Sequence, residues 1–195
     1  VQAVFDDENY PEQGSRAKPY PTFVMGPVSW DYPDGQWDPE RNVREFIEAL
    51  PEWRKAGLLA FTVNFQGGGP TDGNYGPVGG RRDFTQPHHN SGFDAEGNLK
   101  PAYAGRMERI IAAADRLGMV VIVGFFYFGQ DAAVTVSPDG KYIRQAVTNG
   151  MKFLRNLPYR NVLVELNNEI SPGYRHQQLR PDGISELIAL AHEVG

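Results

Sequence analysis

Apolar runs of strand length alternate along this chain with helical patterns, and this alternation constrains the fold more than any other feature. Strands are predicted at residues 21–28, 58–65, 119–126 and 161–167. A stripe of apolar residues with helical spacing follows each of them. Alternating strands and helices form a parallel sheet joined by right-handed crossovers. The sequence therefore predicts an α/β fold of four βα units.

Proline and capping residues mark the predicted helix starts. Asp38 and Pro39 supply an N-cap acceptor and a proline at the first helical position. Pro51 is expected to kink or interrupt that helix, and Asn149-Gly150 is a poor pair for a helix interior. The four helices are predicted to start near Pro39, Pro101, Pro138 and Arg180.

Loop lengths favour a (β/α)8 TIM barrel. Long or polar loops follow the strands and short ones follow the helices, which is typical of an active face at the C-terminal strand ends. A doubly wound open sheet is the alternative, but residues 26–30 are not the Gly-rich turn it usually carries after its first strand.

A full barrel needs roughly 250 residues. We predict that residues 21–195 are the N-terminal half of a barrel, and that residues 1–20 are an irregular lead-in or the end of a preceding segment. Because the chain starts at Val1 rather than Met, we expect a longer parent protein.

Composition and charge argue against several partners. The net charge of -5 argues against nucleic acid and against an anionic membrane surface, both of which attract basic patches. No apolar run approaches the ~18 residues of a membrane span. The absence of cysteine removes disulfide and thiolate chemistry. The Gly clusters at 67–70 and 79–82 lack the Lys-Ser/Thr of a phosphate-binding loop.

The fourth predicted strand ends in polar residues. Glu165, Asn167 and Glu169 are expected on one face, with Asn168 on the other unless the strand bends. A carboxylate at the C-terminal tip of a parallel strand is where α/β barrels place their chemistry. The spacing alone leaves open that Asn-Glu simply begins the next loop. We interpret Glu165 as structural and paired, because a lone buried carboxylate is costly.

The segment Glu165-Leu166-Asn167-Asn168-Glu169 resembles the Glu-x-x-Asn-Glu ending of strand four in the retaining glycoside hydrolases of the barrel clan that includes the family 5 cellulases. The approach to it, residues 159–164, also fits, as does the run 117–122 that enters the third strand. Residues 58–169 are similar to bacterial proteins described as cellulase-family glycosidases. The resemblance covers about residues 20–195.

The resemblance implies a retaining O-glycosyl hydrolase that acts on a poly- or oligosaccharide by double displacement. Glu169 would be the general acid/base, and Asn168 would hydrogen-bond the sugar 2-hydroxyl. In the clan the nucleophile is a carboxylate at the end of strand seven, so we expect it outside these 195 residues. A secreted or periplasmic bacterial location is also implied. Residues 62–64, residues 125–128 and Ile170 stand where family 5 enzymes carry Arg, His and Pro, which fits a divergent branch.

Other residues just past the predicted strand ends could form sugar subsites. Each alone is as well explained by packing or loop stability, but two or three together are expected to touch ligand. His88 and His89 could hold a metal with Asp83 or His176, yet no paired ligand spacing exists, so we predict no metal and no other cofactor. The substrate-binding candidates are Trp30, Asn64, His89, Tyr127, Gln130, Tyr174 and His176.

Two rival functions remain open at the level of sequence. One is a non-catalytic carbohydrate-binding or scaffold half-barrel. The other is a different barrel enzyme, such as a lyase or a metal-dependent hydrolase. In every case a half-barrel leaves its outermost strands without a neighbour, and such edges invite pairing with another chain. We therefore also predict self-association through the unpaired barrel edges.

Overall fold

The computed structural model describes residues 39–66, 91–128, 130–170 and 173–195. The predicted first strand and the lead-in before it lie outside this part of the chain. The three described strands therefore correspond to the second, third and fourth predicted ones. The helices are α1 (Pro39–Lys55), α2 (Pro101–Arg116), α3 (Lys141–Asn156) and α4 (Ile184–Val194), and the strands are β1 (Ala60–Asn64), β2 (Val120–Phe126) and β3 (Val162–Asn167).

The strands form one parallel sheet in the order β1-β2-β3. Along the chain, each new strand is added on the same side of the preceding one. Right-handed crossovers between strands in this order place the connecting helices on a single face of the sheet. The predicted alternation of parallel strands and helices is confirmed. The described strands form an open sheet and do not close into a barrel, so the barrel stays a prediction.

Helices cover one face of the sheet, which we call the helix face. Phe61 of β1 contacts Phe46 of α1 with ring centroids 5.3 Å apart, and Phe125 of β2 lies against Gly150 of α3. The opposite face, which we call the open face, is less covered, and Leu163 on it is 60% exposed. Fully buried residues of the helix face include Val63, Val121, Val123 and Phe125.

A cluster of buried phenylalanines lies beneath the C-terminal end of the sheet. Phe65 contacts Phe93 and Phe125 with centroid distances of 5.2 Å and 5.1 Å, and Phe93 contacts Phe126 at 5.6 Å. Burying each ring contributes about 1.5–3 kcal/mol, and the ring pairs add to this. The cluster thus packs Phe65 and Phe93, in the described residues that follow β1, against β2.

Helix α1 continues through Pro51 to Lys55, so an interruption there is wrong, whereas the alternative expectation of a kink stays a prediction. Tertiary contacts on both sides of the proline stabilise the last turn. Leu50 is fully buried, and Trp53 packs edge-on against Phe46 at 5.3 Å. These contacts outweigh the lost backbone hydrogen bond that proline imposes.

Two helices begin later than their sequences indicate. The helix predicted from Pro138 begins at Lys141, because Gly140 has a φ of +66°, which no right-handed helix accommodates. Residues 181–183 form a turn, and α4 begins only at Ile184. Short 3-10 helices, Gln130–Ala133 and Gln177–Leu179, lie in the loops after β2 and β3. No helix in the described ranges has the length and apolar character needed to cross a membrane.

Candidate functional site

The chain turns sharply where β3 ends. Glu169 has a φ of +49°, and among the described residues no other non-glycine residue has a positive φ. This left-handed conformation costs roughly 1–2 kcal/mol for an L-residue, and such strain concentrates at functional sites. Because β3 ends at Asn167, Glu169 does not continue the row of Glu165 and Asn167, so the predicted common face stops short of it. The Glu169 side chain is exposed at the C-terminal end of the sheet.

Tyr174 fixes the backbone beside Glu169. Its hydroxyl donates toward the carbonyl oxygens of Asn168, at 2.5 Å, and Phe126, at 3.2 Å. The Asn168 N–H in turn donates to the Phe126 carbonyl at 3.0 Å. Burial, together with the charges of Asp131 and Glu165, raises the pKa of Tyr174, so the phenol remains a hydrogen-bond donor. Tyr174 therefore holds the end of β3 against the end of β2.

Asp131 and His176 join the loops after β2 and β3. The Asp131 carboxylate accepts from the backbone N–H of Arg175 at 2.6 Å and of His176 at 3.3 Å. His176 Nε2 lies 3.1 Å from the carbonyl oxygens of Asp131 and of Val134. Because carbonyls only accept, His176 carries its proton on Nε2. We call Asp131, Tyr174 and His176 the loop clamp.

Members of the loop clamp support the site rather than face solvent. Tyr174 is 1% exposed, and Asp131 and His176 are fully buried. The predicted substrate-binding roles of Tyr174 and His176 remain predictions, but the Tyr174 hydroxyl and His176 Nε2 already bind backbone carbonyls. Two further bonds secure the same loop: Asn167 Nδ2 donates to Leu179 O at 3.0 Å, and Arg180 Nε donates to Tyr174 O at 2.8 Å.

Asn64, Gly124 and Glu165 form one row across the open face, one residue from each strand. Glu165 is half-buried, and this burial raises its pKa. No described side chain is recorded as forming a hydrogen bond or an ion pair with Glu165, so its expected pairing stays a prediction. The sheet register puts only Gly124 beside Glu165 on β2, and glycine offers no partner group.

The remaining substrate-binding candidates are spread over three environments. Tyr127 directly follows β2, is half-buried, and stacks on Phe128 with centroids 4.5 Å apart. Gln130 is 1% exposed in the short helix after β2. Trp30 and His89 lie outside the described residues. The structure thus brings Asn64, Tyr127, Asn168 and Glu169 to the same end of the sheet, at the C-terminal tips of the three strands.

Sequence reasoning missed the role of Gly124. A glycine inside an apolar strand pattern indicates a close approach of other groups, and that signal was present in the run from Val120 to Phe126. Asp131 accepts hydrogen bonds from Arg175 and His176, which lie 44 and 45 positions further along the chain. Contacts over such a separation leave no local signal in the sequence.

No group of three or more potential metal-binding side chains occurs in the described ranges. The candidate metal ligands Asp83, His88 and His89 lie outside those ranges. His176 Nε2 already donates to two carbonyls and so has no lone pair for a metal, although His176 Nδ1 has no partner among the described residues.

Comparison of the chain with protein-family models, with curated proteins and with solved structures found no match.

Proposed function

We propose that this chain carries the acid/base half of a retaining O-glycosyl hydrolase site that acts on a poly- or oligosaccharide. Glu169 is the general acid/base, and Asn168 hydrogen-bonds the sugar 2-hydroxyl. The observation that carries the proposal is the strained, exposed Glu169 at the C-terminal tip of a parallel strand, directly after Asn168. A binding loop with no chemistry would more simply place glycine or asparagine at a positive φ.

Glycoside cleavage explains why a carboxyl group would be held there. The bond between the anomeric carbon and the glycosidic oxygen breaks, and Glu169 gives its proton to the departing oxygen while a second carboxylate attacks the anomeric carbon. Glu169 then takes a proton from water, whose oxygen displaces the second carboxylate. We propose that this nucleophile belongs to a segment beyond the 195 residues, in the half of the barrel that this sequence does not contain.

The arrangement of the helices supports the barrel in which such a site would form. They lie on one face of the sheet, as they do in a closed barrel, whereas a doubly wound sheet has helices on both faces. The open face then corresponds to the barrel interior. The loop clamp supports the proposal further, because it fixes the backbone on which Glu169 and Asn168 lie.

The test is the leaving-group dependence of Glu169→Gln in the longest natural protein that contains this chain. We expect cleavage of unactivated glycosides to fall by roughly 10²–10⁴-fold, the contribution of general acid catalysis. Release of a good leaving group such as dinitrophenolate needs no proton, so the first turnover on that aryl glycoside should be nearly as fast as in wild type. Azide should then rescue turnover in Glu169→Ala, because it attacks the glycosyl-enzyme without a general base.

Glu186 offers a matched control, since it is an exposed glutamate on α4 whose carboxylate forms an ion pair with Arg144 of α3. Glu186→Gln should cleave both classes of glycoside at the wild-type rate. Equal loss of the first-turnover rate in Glu169→Gln on activated and unactivated substrates would refute the acid/base role, as would full activity on both.

The exposure of Glu169 favours a second candidate, a non-catalytic carbohydrate-binding half-barrel. A general acid usually needs an apolar surrounding that raises its pKa, and an exposed carboxylate suits hydrogen bonding to sugar hydroxyls. This candidate predicts oligosaccharide binding that Glu169→Gln leaves unchanged, together with no hydrolysis by the longer protein.

A further inference from the structure

The row Asn64–Gly124–Glu165 on the open face has an unusual feature, a glycine over which two polar side chains converge. A Cβ atom on Gly124 would lie 2.1 Å from Asn64 Oδ1 and 3.4 Å from Glu165 Oε2. Asn64 thus occupies the space that a Cβ at position 124 would fill, and the Glu165 carboxylate lies within contact distance of the same point. The strand register fixes this convergence, since Asn64 and Glu165 both pair with Gly124.

Each of the two side chains turns an oxygen atom toward Gly124. Asn64 Oδ1 is buried, and no described donor reaches it. A buried acceptor without a hydrogen-bond donor destabilises the folded state. An ionised Glu165 would only add a second acceptor, because a carboxylate has no hydrogen to donate. A protonated Glu165 would supply the O–H donor that the arrangement lacks.

The surroundings of Glu165 contain no described cation that would keep it ionised. No described lysine or arginine forms an ion pair with it. The ionisable group that interacts with Glu165 in the described chain is Tyr174, from the loop after β3, whose pKa is raised by burial, by Asp131 and by Glu165 itself. A neutral phenol that already donates to two carbonyls provides no positive charge.

We propose that Glu165 is a protonated positioning residue whose carboxylic O–H donates to Asn64 Oδ1 across Gly124. This bond fixes the Asn64 amide with its Nδ2 donors turned away from Glu165. Because Asn64 is the last residue of β1, those donors lie at the C-terminal tips of the strands. This last step rests on the proposed function: there, Asn64 Nδ2 hydrogen-bonds a hydroxyl oxygen of the carbohydrate bound near Glu169.

The hydrogen bond can be tested without any activity, by 13C NMR of the glutamate side-chain carboxyls in the 195-residue chain. The Glu165 signal is assigned by its absence in Glu165→Gln. We expect Glu165 to titrate above the ordinary glutamate value of 4.5. Asn64→Ala removes the acceptor and admits water, so it should lower the pKa of Glu165. The expected decrease is about 0.5–1 or more, which corresponds to the loss of one net hydrogen bond.

Thr62→Ala is the control, because Thr62 lies on the same face of β1, two residues before Asn64. It should leave the Glu165 pKa unchanged. A Glu165 that titrates at or below 4.5, or an Asn64→Ala variant that leaves the Glu165 pKa unchanged or raises it, would overturn the proposal.

A second pair of variants distinguishes a hydrogen bond from the side chain of residue 165 from simple packing of that side chain. Glu165→Gln keeps an N–H donor for Asn64 Oδ1, whereas Glu165→Met has a similar length but no donor. The Asn64 side-chain amide hydrogens should exchange with solvent as slowly in Glu165→Gln as in wild type, and faster in Glu165→Met. Equal exchange in the two variants would contradict a hydrogen bond from Glu165.

Kinetics of the longer protein address the last step separately. Glu165→Met should raise KM several-fold with little change in kcat, and Glu165→Gln should restore the wild-type KM. If the NMR results hold but no glycoside is cleaved, the hydrogen bond stands and the proposed function falls. If Glu169→Gln behaves as a lost general acid while Glu165 titrates normally, the proposed function stands and this inference falls.

Discussion

Glu169 combines an exposed carboxylate with a backbone conformation that a glutamate adopts only at a cost. The loop clamp maintains this conformation, since the Tyr174 hydroxyl donates to the carbonyl of the preceding residue, Asn168. Strain that the surrounding structure maintains is a common sign of function, because stability alone would select glycine there.

Glu169→Gly should therefore separate stability from activity. Glycine adopts a positive φ without steric cost, although it loses more chain entropy on folding, so we expect a gain in the free energy of unfolding of up to about 1 kcal/mol. Glycoside cleavage by the longer protein should be lost. Urea denaturation measures the first effect, and Glu169→Gln, which keeps the strain, should stay within about 0.5 kcal/mol of wild type. A clear loss of stability in Glu169→Gly would mean that the carboxylate supports the fold.

Glu165 makes stability depend on pH in a direction that can be stated. Burial raises its pKa in the folded state above the ordinary value of 4.5. Below that value both folded and unfolded chains hold the proton, and the contribution of Glu165 to stability is fully present. As the pH rises through the raised pKa, the folded state must lose a proton that it binds more tightly, so this contribution is lost.

Glu165→Gln stays neutral at every pH and should escape that loss. We expect its free energy of unfolding to rise relative to wild type as the pH increases from 4.5 through the raised pKa, and then to level off. Urea denaturation at a series of pH values measures the difference. A difference that shrinks as the pH rises would indicate an ionised, stabilising Glu165.

At the scale of elements, α3 shows how packing determines the residues of a helix. Asn149 and Gly150 are poor helix formers, yet α3 runs through them. Asn149 Nδ2 donates to Gly97 O at 2.9 Å, which ties α3 to the loop before α2. Gly150 lets the helix approach β2, because a Cβ there would lie 2.5 Å from Phe125 Cε2.

Gly150→Ala should consequently destabilise the protein despite the better helix propensity of alanine. The new methyl group would force Phe125 or α3 to move, at a cost of about 1–3 kcal/mol. Gly105 in α2 is the matched control, since a Cβ there would meet nothing within 4 Å. Gly105→Ala should stabilise by about 0.5–1 kcal/mol. Thermal unfolding of both variants checks the pair, and similar shifts in the same direction would refute the close approach.

At the scale of the whole molecule, the outer side of β3 is the least covered part of the described sheet. No described strand pairs with its outer edge. Leu163 is 60% exposed and Val164 is 38% exposed, on opposite faces of the strand. A groove of about 400 Å³ between β3 and α4 is lined by Val164, Leu166, Ile184 and Ile188, among others.

We expect the isolated 195-residue chain to self-associate through β3. Leu163→Lys should shift it toward monomer, because a lysine on an edge strand opposes strand pairing. Leu59 is a control of equal exposure, 59%, that lies just before β1 rather than on β3. Leu59→Lys should leave the association unchanged. Light scattering measures the mass, and a monomeric wild-type chain would contradict this prediction.

The sequence by itself determined the alternation of strands and helices and the place of Glu169 at a strand tip. Both depend on local patterns: strands repeat every two residues, helices every 3.6, and turn residues separate them. The sequence determined the helix boundaries less well, as at Pro51 and Gly140. The contacts that extend or end a helix come from elsewhere in the chain.

Tertiary structure alone decided which polar groups meet. Asp131 accepts hydrogen bonds from the backbone of Arg175 and His176, which lie 44 and 45 positions further along the chain. Asn64 and Glu165 converge over Gly124 from different strands. Contacts of this kind depend on sheet register and on how the loops pack. Both require the whole fold, and neither produces a periodic pattern in the sequence. For this reason the sequence named no partner for Glu165, whereas it placed Glu169 at the end of its strand.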